Sequence, residues 1–351
     1  MISYFTEVIV LTTEELCFAL AKENGTPGDE TAAASAVQTL FAPYVELKAD
    51  ALGNLCGTLG TGDVKILLDA HLDRVGLVVT EIDEQGFLHV DKAGGVDPRV
   101  LVGSEVIVYG KAPLWGVVCS TPPHLLTEEK KKAGVELSDL AVDIGRTRDE
   151  AQQLVSVGDR VGYADTQLRL LNGRIASAAF DDRCGVAAVL KAVEAVHDKL
   201  QNVCLCVQIS VQEEVGGGGA GTGAFAFAPD LAIAVDVGFG DDPFCKGSET
   251  IALGKGPSIG LSATLDRALT LELKALAEKE GIPYQHDVMP GRTGTNADHI
   301  TVSRAGVRTA LLSIPLRSMH TGVEVIDVAD IDQTAALLAA FILSREARQH
   351  D

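Results

Sequence analysis

Five side chains able to ligate a metal stand where apolar runs end: His71, Asp181, Glu214, Asp236 and His320. Each follows a stretch that reads as a buried β-strand or its exit. If those strands lie parallel in one sheet, their carboxyl ends bring all five side chains to one crevice, where open α/β sheets place their sites. The pattern therefore points to an α/β fold with a parallel core, and it marks the crevice as the seat of function.

The chain is long enough for one large or two ordinary domains, with 351 residues of which 46% are hydrophobic. Acidic residues outnumber basic ones, 49 to 29, for a formal charge of −20. That charge repels phosphate backbones and anionic lipid, so neither nucleic acid nor membrane is an expected partner. The opening Met1 to Glu7 lacks a basic n-region, Glu14 and Glu15 interrupt the apolar stretch that follows, and no run reaches the roughly 18 apolar residues of a membrane span. A cytoplasmic location is the expectation. The seven cysteines are an odd count without a Cys-x-x-Cys pair, and Cys204 and Cys206 share one face of an apolar strand as small core side chains.

Residues 12–40 read as two helices around an Asn-Gly-Thr-Pro-Gly turn, and residues 64–70 as an interior strand ending at His71. From 75 to about 162 the character changes to short alternating segments (76–82, 87–90, 105–109, 115–119) with hairpin punctuation, plus two solvated helical faces at 127–133 and 150–154. After Leu168 long units return: helices over 185–199, 265–279 and 331–345, and strands over 203–211, 231–237 and 308–315. His71 precedes the β-rich stretch and the other four candidates follow it. A joint site thus makes residues 1–73 and 166–351 one discontinuous domain and 74–165 an insertion.

Two imidazoles and three carboxylates without a thiolate suit borderline metals such as zinc, cobalt or manganese. A shared carboxylate can hold two such ions about 3.5–4 Å apart. Asp73, two positions after His71, is placed to accept the proton of the ring nitrogen that a metal leaves free. Glu213 and Glu214 adjoin at a strand exit, where a bend can leave one carboxylate on a metal and the other free for proton transfer.

Plainer readings exist for each residue alone: His71 as a satisfied strand-end histidine, Asp181-Asp182 as a helix cap, Glu213-Glu214 as a solvated exit. Their joint recurrence at strand ends argues for the site. The strongest rival is a dinucleotide fold, since Gly216 to Gly221 contains Gly-x-Gly-x-x-Gly after a strand and Asp236 follows at the spacing of a ribose-binding acid. Against it, Glu213 and Glu214 would face the pyrophosphate at the turn meant to receive it.

The segments His71-Leu72-Asp73, Phe180-Asp181-Asp182-Arg183, Gln212-Glu213-Glu214-Val215-Gly216, Val235-Asp236-Val237 and Ser318-Met319-His320-Thr321, with Gly95-Val96-Asp97-Pro98-Arg99 and Pro122-Pro123-His124-Leu125, resemble the tetrahedral aminopeptidase family, which includes glutamyl and deblocking aminopeptidases and proteins labelled endoglucanase. The likeness runs in order from about Gly28 to Ile326. It implies a phosphorylase/hydrolase-like α/β catalytic domain, with a mixed sheet flanked by helices, and an inserted PDZ-like β-rich domain for self-association. It further implies a homododecamer acting on short peptides, two divalent ions per subunit (zinc or cobalt, with manganese as a third choice), and a cis peptide between Asp181 and Asp182. Carried over by position, His71 and Asp236 would hold one ion, Glu214 and His320 the other, and Asp181 would bridge. Glu213 would be the general base, with Asp73 the second residue serving catalysis. Departures from the family pattern are Arg74 for Glu, Ser318 for Tyr and Asn296 for Asp, from which an altered substrate preference is expected. Two further classes stay open: a metal-dependent N-acyl amino acid deacylase, and a non-catalytic metal-binding subunit of an assembly. The endoglucanase label has no support in the motifs, because a glycosidase needs a carboxyl pair unencumbered by metal.

Overall fold

The computed structural model describes residues 11–245 and 250–347, so the opening Met1 to Glu7 lies outside the described residues. Four strands form the parallel centre of a large sheet, in the order Val203–Ser210, Val64–His71, Leu231–Phe239, Arg308–Arg317. Their near-continuous aliphatic runs are what burial on both faces requires. Antiparallel strands flank them, Leu55–Leu59 on one side and Glu324–Asp327 then Arg174–Ser177 on the other, making the sheet mixed.

Register sets the site. Ser210 pairs with His71, and Ala234 pairs with Asp69, so Asp236 lies level with His71 two residues further along both strands. The crevice expected beyond the carboxyl ends is therefore present, with Glu213 and Glu214 leaving the sheet next to His71.

Helices cover both faces. Phe180–Val196 packs on one, beside Val328–Ala347 and Thr13–Lys22, around the main core. Thr13–Lys22 starts at a Thr12/Glu15 capping box, the reciprocal arrangement that satisfies two free N–H groups. Arg183, fully buried, ties these parts together: its guanidinium donates to the main-chain oxygens of Leu72, Leu20 and Glu23.

On the opposite face lies Gly218–Phe227, the segment behind the dinucleotide reading. Here the glycines serve close approach. A Cβ at Gly223 would stand 2.0 Å from Gln208 Oε1, and one at Gly219 would stand 2.2 Å from the Val211 carbonyl oxygen. The glycine run lets a helix lie on the strand Val203–Ser210, which accounts for it without a phosphate.

Six antiparallel strands from Gly76–Ile82 to Arg160–Tyr163 close into a separate small barrel. Closure decides which apolar strands of this stretch stay exposed for self-association. Residues 76–79 do not, because Leu77 and Val79 point into the barrel core with Val106, Val108 and Val161. Trp115 and Val117, on Pro113–Ser120, do face outward, at 65% and 47% exposure.

Candidate metal centre

The chain bends sharply out of its strands around the crevice. Ala179, Gln212, Ser318 and His320 all take positive φ, a region that non-glycine residues enter rarely and that clusters at functional sites. Asp181 and Asp182 are joined by the cis peptide implied by the resemblance.

All five expected ligands come together. His71 Nε2 lies 3.1 Å from Asp181 Oδ1 and 3.9 Å from Asp236 Oδ1. His320 Nε2 lies 3.3 Å from Asp181 Oδ2 and 3.5 Å from Glu214 Oε2. Asp181 thus turns one oxygen to each of two groups that could hold an ion, His71/Asp181/Asp236 and Asp181/Glu214/His320. Glu213 Oε2 stands 4.0 Å from His71 Nε2 and belongs to neither group.

Both rings are oriented from behind. His71 Nδ1 meets the Asp73 carbonyl oxygen at 2.9 Å and His320 Nδ1 meets the Gly95 carbonyl oxygen at 3.1 Å. With Nδ1 donating, each Nε2 keeps its lone pair for a cation. The expected bond from His71 to the Asp73 side chain is thereby corrected: the main chain takes that role, and the carboxylate, 3.8 Å from Nδ1, accepts from the N–H groups of Glu213 and Glu214 at 3.0 and 3.1 Å. Asp73 positions the paired glutamates because two main-chain donors outcompete one more distant ring nitrogen.

Two supporting carboxylates were not among the expected site residues. Glu324 accepts from the N–H of Asp181 at 3.1 Å and of His320 at 2.8 Å, joining the two ends of the constellation. Its position at the head of an apolar strand four residues after His320 was the available signal. Asp182 accepts from the N–H of His71 at 3.3 Å and of Gly185 at 3.1 Å, so the cap read in Asp181-Asp182 belongs to Asp182 alone.

The electrostatics show what the cluster lacks. Burial, the largest influence, pushes the carboxyls of Glu213, Glu214 and Asp236 up, the latter two well above the ordinary range, and it pushes Glu324 up to about 8. Burial acts the same way on Asp181, but hydrogen bonds from His320 and His71 outweigh it and hold that carboxyl well below its usual range. His320 is raised to about 9, burial opposing and the Asp181 hydrogen bond favouring the charged ring. Glu214 Oε1 is buried with no hydrogen-bond partner among the described residues. Buried carboxylates crowded this closely need positive charge, and an oxygen-and-imidazole donor set fits borderline divalent ions.

The site opens on a cavity of about 540 Å³ walled by Phe239, Asp287, Met289, Leu311 and Met319 as well as by Asp181, Glu214, Asp236 and His320. None of the three departures lines it. Arg74 is buried against the barrel, with Nη2 3.4 Å from Tyr109 Oη, and Asn296 donates to Asp69 and Ser210 beneath the sheet. Ser318 faces a different groove, between the barrel and the chain near Val323. An altered substrate preference would therefore not come from direct contact of these three side chains with the cavity.

The sequence profile described as M42 glutamyl aminopeptidase matches residues 53–337. A lysyl aminopeptidase from Pyrococcus furiosus is 36% identical over 304 residues, covering 85% of this chain and 86% of that protein. Among solved structures, a TET aminopeptidase from a marine-sediment Thaumarchaeota archaeon superposes with a TM-score of 0.90 at 31% identity, over 94% of this chain and 95% of the other. The TET1 peptidase of Pyrococcus horikoshii, which can assemble into a tetrahedron or a large octahedral shell, gives a TM-score of 0.84 at 32% identity, over 94% and 99%.

Proposed function

The chain belongs to the M42 glutamyl aminopeptidase family of hydrolases acting on peptide bonds, and we propose that it is a dinuclear metal-dependent aminopeptidase releasing the first residue of short peptides. The observation that carries this reading is Asp181, whose two oxygens face two separate imidazole-carboxylate groups with Glu213 alongside. His71 and Asp236 would hold one ion and Glu214 and His320 the other, with Asp181 shared; zinc or cobalt suits the donors best and manganese next. Such a pair supplies Lewis acidity and lowers the pKa of bound water towards ~7.

The chain's own groups do the rest. Glu213 takes the proton of the attacking water, and its buried, raised carboxyl lies nearer the working range of a general base than a solvated glutamate would. The same carboxyl then returns the proton to the leaving amine nitrogen. Asp73 fixes the main chain of Glu213 and Glu214, which keeps the two carboxylates apart in role. The carboxylates of the centre itself would hold the substrate's free amino group, which sets an exopeptidase apart from an endopeptidase.

The deciding experiment is a panel of aminoacyl chromogenic substrates with acyl-blocked controls, run on apo-protein reconstituted with zinc, cobalt or manganese. We expect cleavage of the free-amine substrates and none of the blocked ones. The reverse preference would establish a deacylase, and metal uptake without any cleavage would establish a non-catalytic subunit.

We further propose that residues 1–73 and 166–351 act as the catalytic unit, while residues 74–165, expected to be PDZ-like, carry self-association. The outward Trp115 and Val117 support this, as does the assembly of the Pyrococcus horikoshii relative. No described helix is long and apolar enough to cross a membrane. Light scattering on the metal-loaded protein should give a mass near twelve subunits; a strictly monomeric mass with full peptidase activity would end the closed-assembly reading.

A further inference from the structure

The cavity beside the metal centre holds one carboxylate that the reaction leaves unused. Asp287 lies in the middle of Gln285–Met289, a strand parallel to Ser258–Ser262. Side chains alternate along it: Asp287 and Met289 line the cavity, and Val288 between them is 62% exposed on the far side. The Asp287 side chain is half-buried, and among the described residues it makes no hydrogen bond or ion pair. Burial accordingly pushes its carboxyl up with nothing to offset it. No lysine or arginine lines the cavity among the described residues.

Charge and shape agree. On the aminopeptidase reading, Asp181, Glu214, Asp236 and Glu213 together balance two divalent ions, which leaves Asp287 as the uncompensated negative charge of the loaded pocket. The rest of the lining mixes apolar side chains, Phe239, Met289, Leu311 and Met319, with the neutral hydroxyls of Thr293, Thr295 and Ser313, so among the described residues no other charged group outside the centre faces the cavity. A partly apolar, otherwise uncharged lining with one unpaired carboxylate is complementary to a side chain with a methylene stem and a cationic head. A glutamyl side chain would meet repulsion there. A leucyl side chain would leave the carboxylate desolvated and unpaired.

We propose that Asp287 is a specificity-determining residue that selects peptides with an amino-terminal lysine or arginine. The proposal rests on the aminopeptidase reading for its substrate class, and the following test separates the two. The metal-loaded enzyme is assayed on lysyl and norleucyl p-nitroanilides, which share a straight carbon stem and differ in the terminal charge. We expect kcat/KM to favour lysyl by at least about tenfold, the order of one charge-assisted hydrogen bond. In Asp287→Asn the ratio should fall towards one, and Asp287→Lys should favour a glutamyl substrate. A purely structural role would depress both substrates together and leave the ratio unchanged, which would overturn the proposal, as would a wild-type ratio of one or below. Should the variants not fold, added salt serves on the wild-type enzyme: the lysyl preference must shrink with ionic strength, and indifference to salt counts against Asp287. Absence of cleavage on every aminoacyl substrate would sink the aminopeptidase reading instead. Calorimetry of L-lysine against L-norleucine then still decides: tighter lysine binding that disappears in Asp287→Asn supports the charge recognition, and equal binding refutes it.

Discussion

Glu213→Gln should lower turnover by about 10²–10⁴-fold while the protein keeps both ions, the loss expected when a general base is removed and its shape retained. The two adjacent glutamates are chemically alike, and geometry assigns their tasks. Glu214 Oε2 lies 3.5 Å from His320 Nε2, and its other oxygen is buried with no hydrogen-bond partner among the described residues, which suits a metal ligand. Glu213 comes no nearer than 4.0 Å to His71 Nε2 and stands outside both ligand groups. The substitution leaves the main chain alone, because the Asp73 carboxylate grips the N–H groups of residues 213 and 214 rather than their side chains. Steady-state kinetics and elemental analysis on the same preparation decide the assignment. Near-normal turnover would remove Glu213 from the proton path, and loss of an ion would make it a ligand instead. The loss corresponds to about 3–5 kcal/mol of transition-state stabilisation, too large for a shift in packing at a partly buried side chain.

What was legible in the sequence was whatever the sheet itself enforces. His71, Asp236 and the Glu213-Glu214 pair follow long aliphatic runs, and a strand buried on both faces has to be apolar throughout, so its end is conspicuous. Asp181 and His320 were visible through their motifs. Roles exercised through main-chain donors were harder to read: Asp73 stood out by its place after His71 but for a different bond, and Glu324 only by its place after His320, since no side-chain pattern announces which N–H will be free. The helix Gly218–Phe227 was hidden for a different reason, since its glycines, poor helix formers, are retained for close packing and imitate a phosphate loop. Ser258–Ser262 and Gln285–Met289 are short and mixed in polarity, and only their pairing in space identifies them as strands. Asp287 was invisible with them. The outward or inward sense of residues 76–79 depended on barrel closure, a non-local event.

Asp181→Ala should be the most damaging change to the centre, because a single carboxylate serves both ligand groups. Its Oδ1 lies 3.1 Å from His71 Nε2 and its Oδ2 lies 3.3 Å from His320 Nε2, so truncation removes an anionic donor from each group at once. The remaining members, His71 with Asp236 and Glu214 with His320, keep only two donors per group, below the three protein ligands usual at catalytic sites. Asp236→Ala, by comparison, subtracts a donor from the His71 group only, and Glu214→Gln weakens only the His320 group by replacing an anionic oxygen with a neutral one. The expected stoichiometries after exhaustive dialysis are therefore near zero for Asp181→Ala and near one for each of the other two, against two for the wild type. Peptidase activity in Asp181→Ala should fall below detection and stay there on adding micromolar zinc or cobalt, whereas Glu214→Gln should recover part of its activity as metal is raised. Secondary structure by circular dichroism should be retained, since among the described residues the Asp181 carboxylate meets the His71 and His320 rings rather than main-chain N–H groups, and Asp182, its neighbour, does the capping. Retention of two tightly bound ions by a folded Asp181→Ala protein would show that the two groups do not share a ligand, and with it the dinuclear arrangement would have to be abandoned.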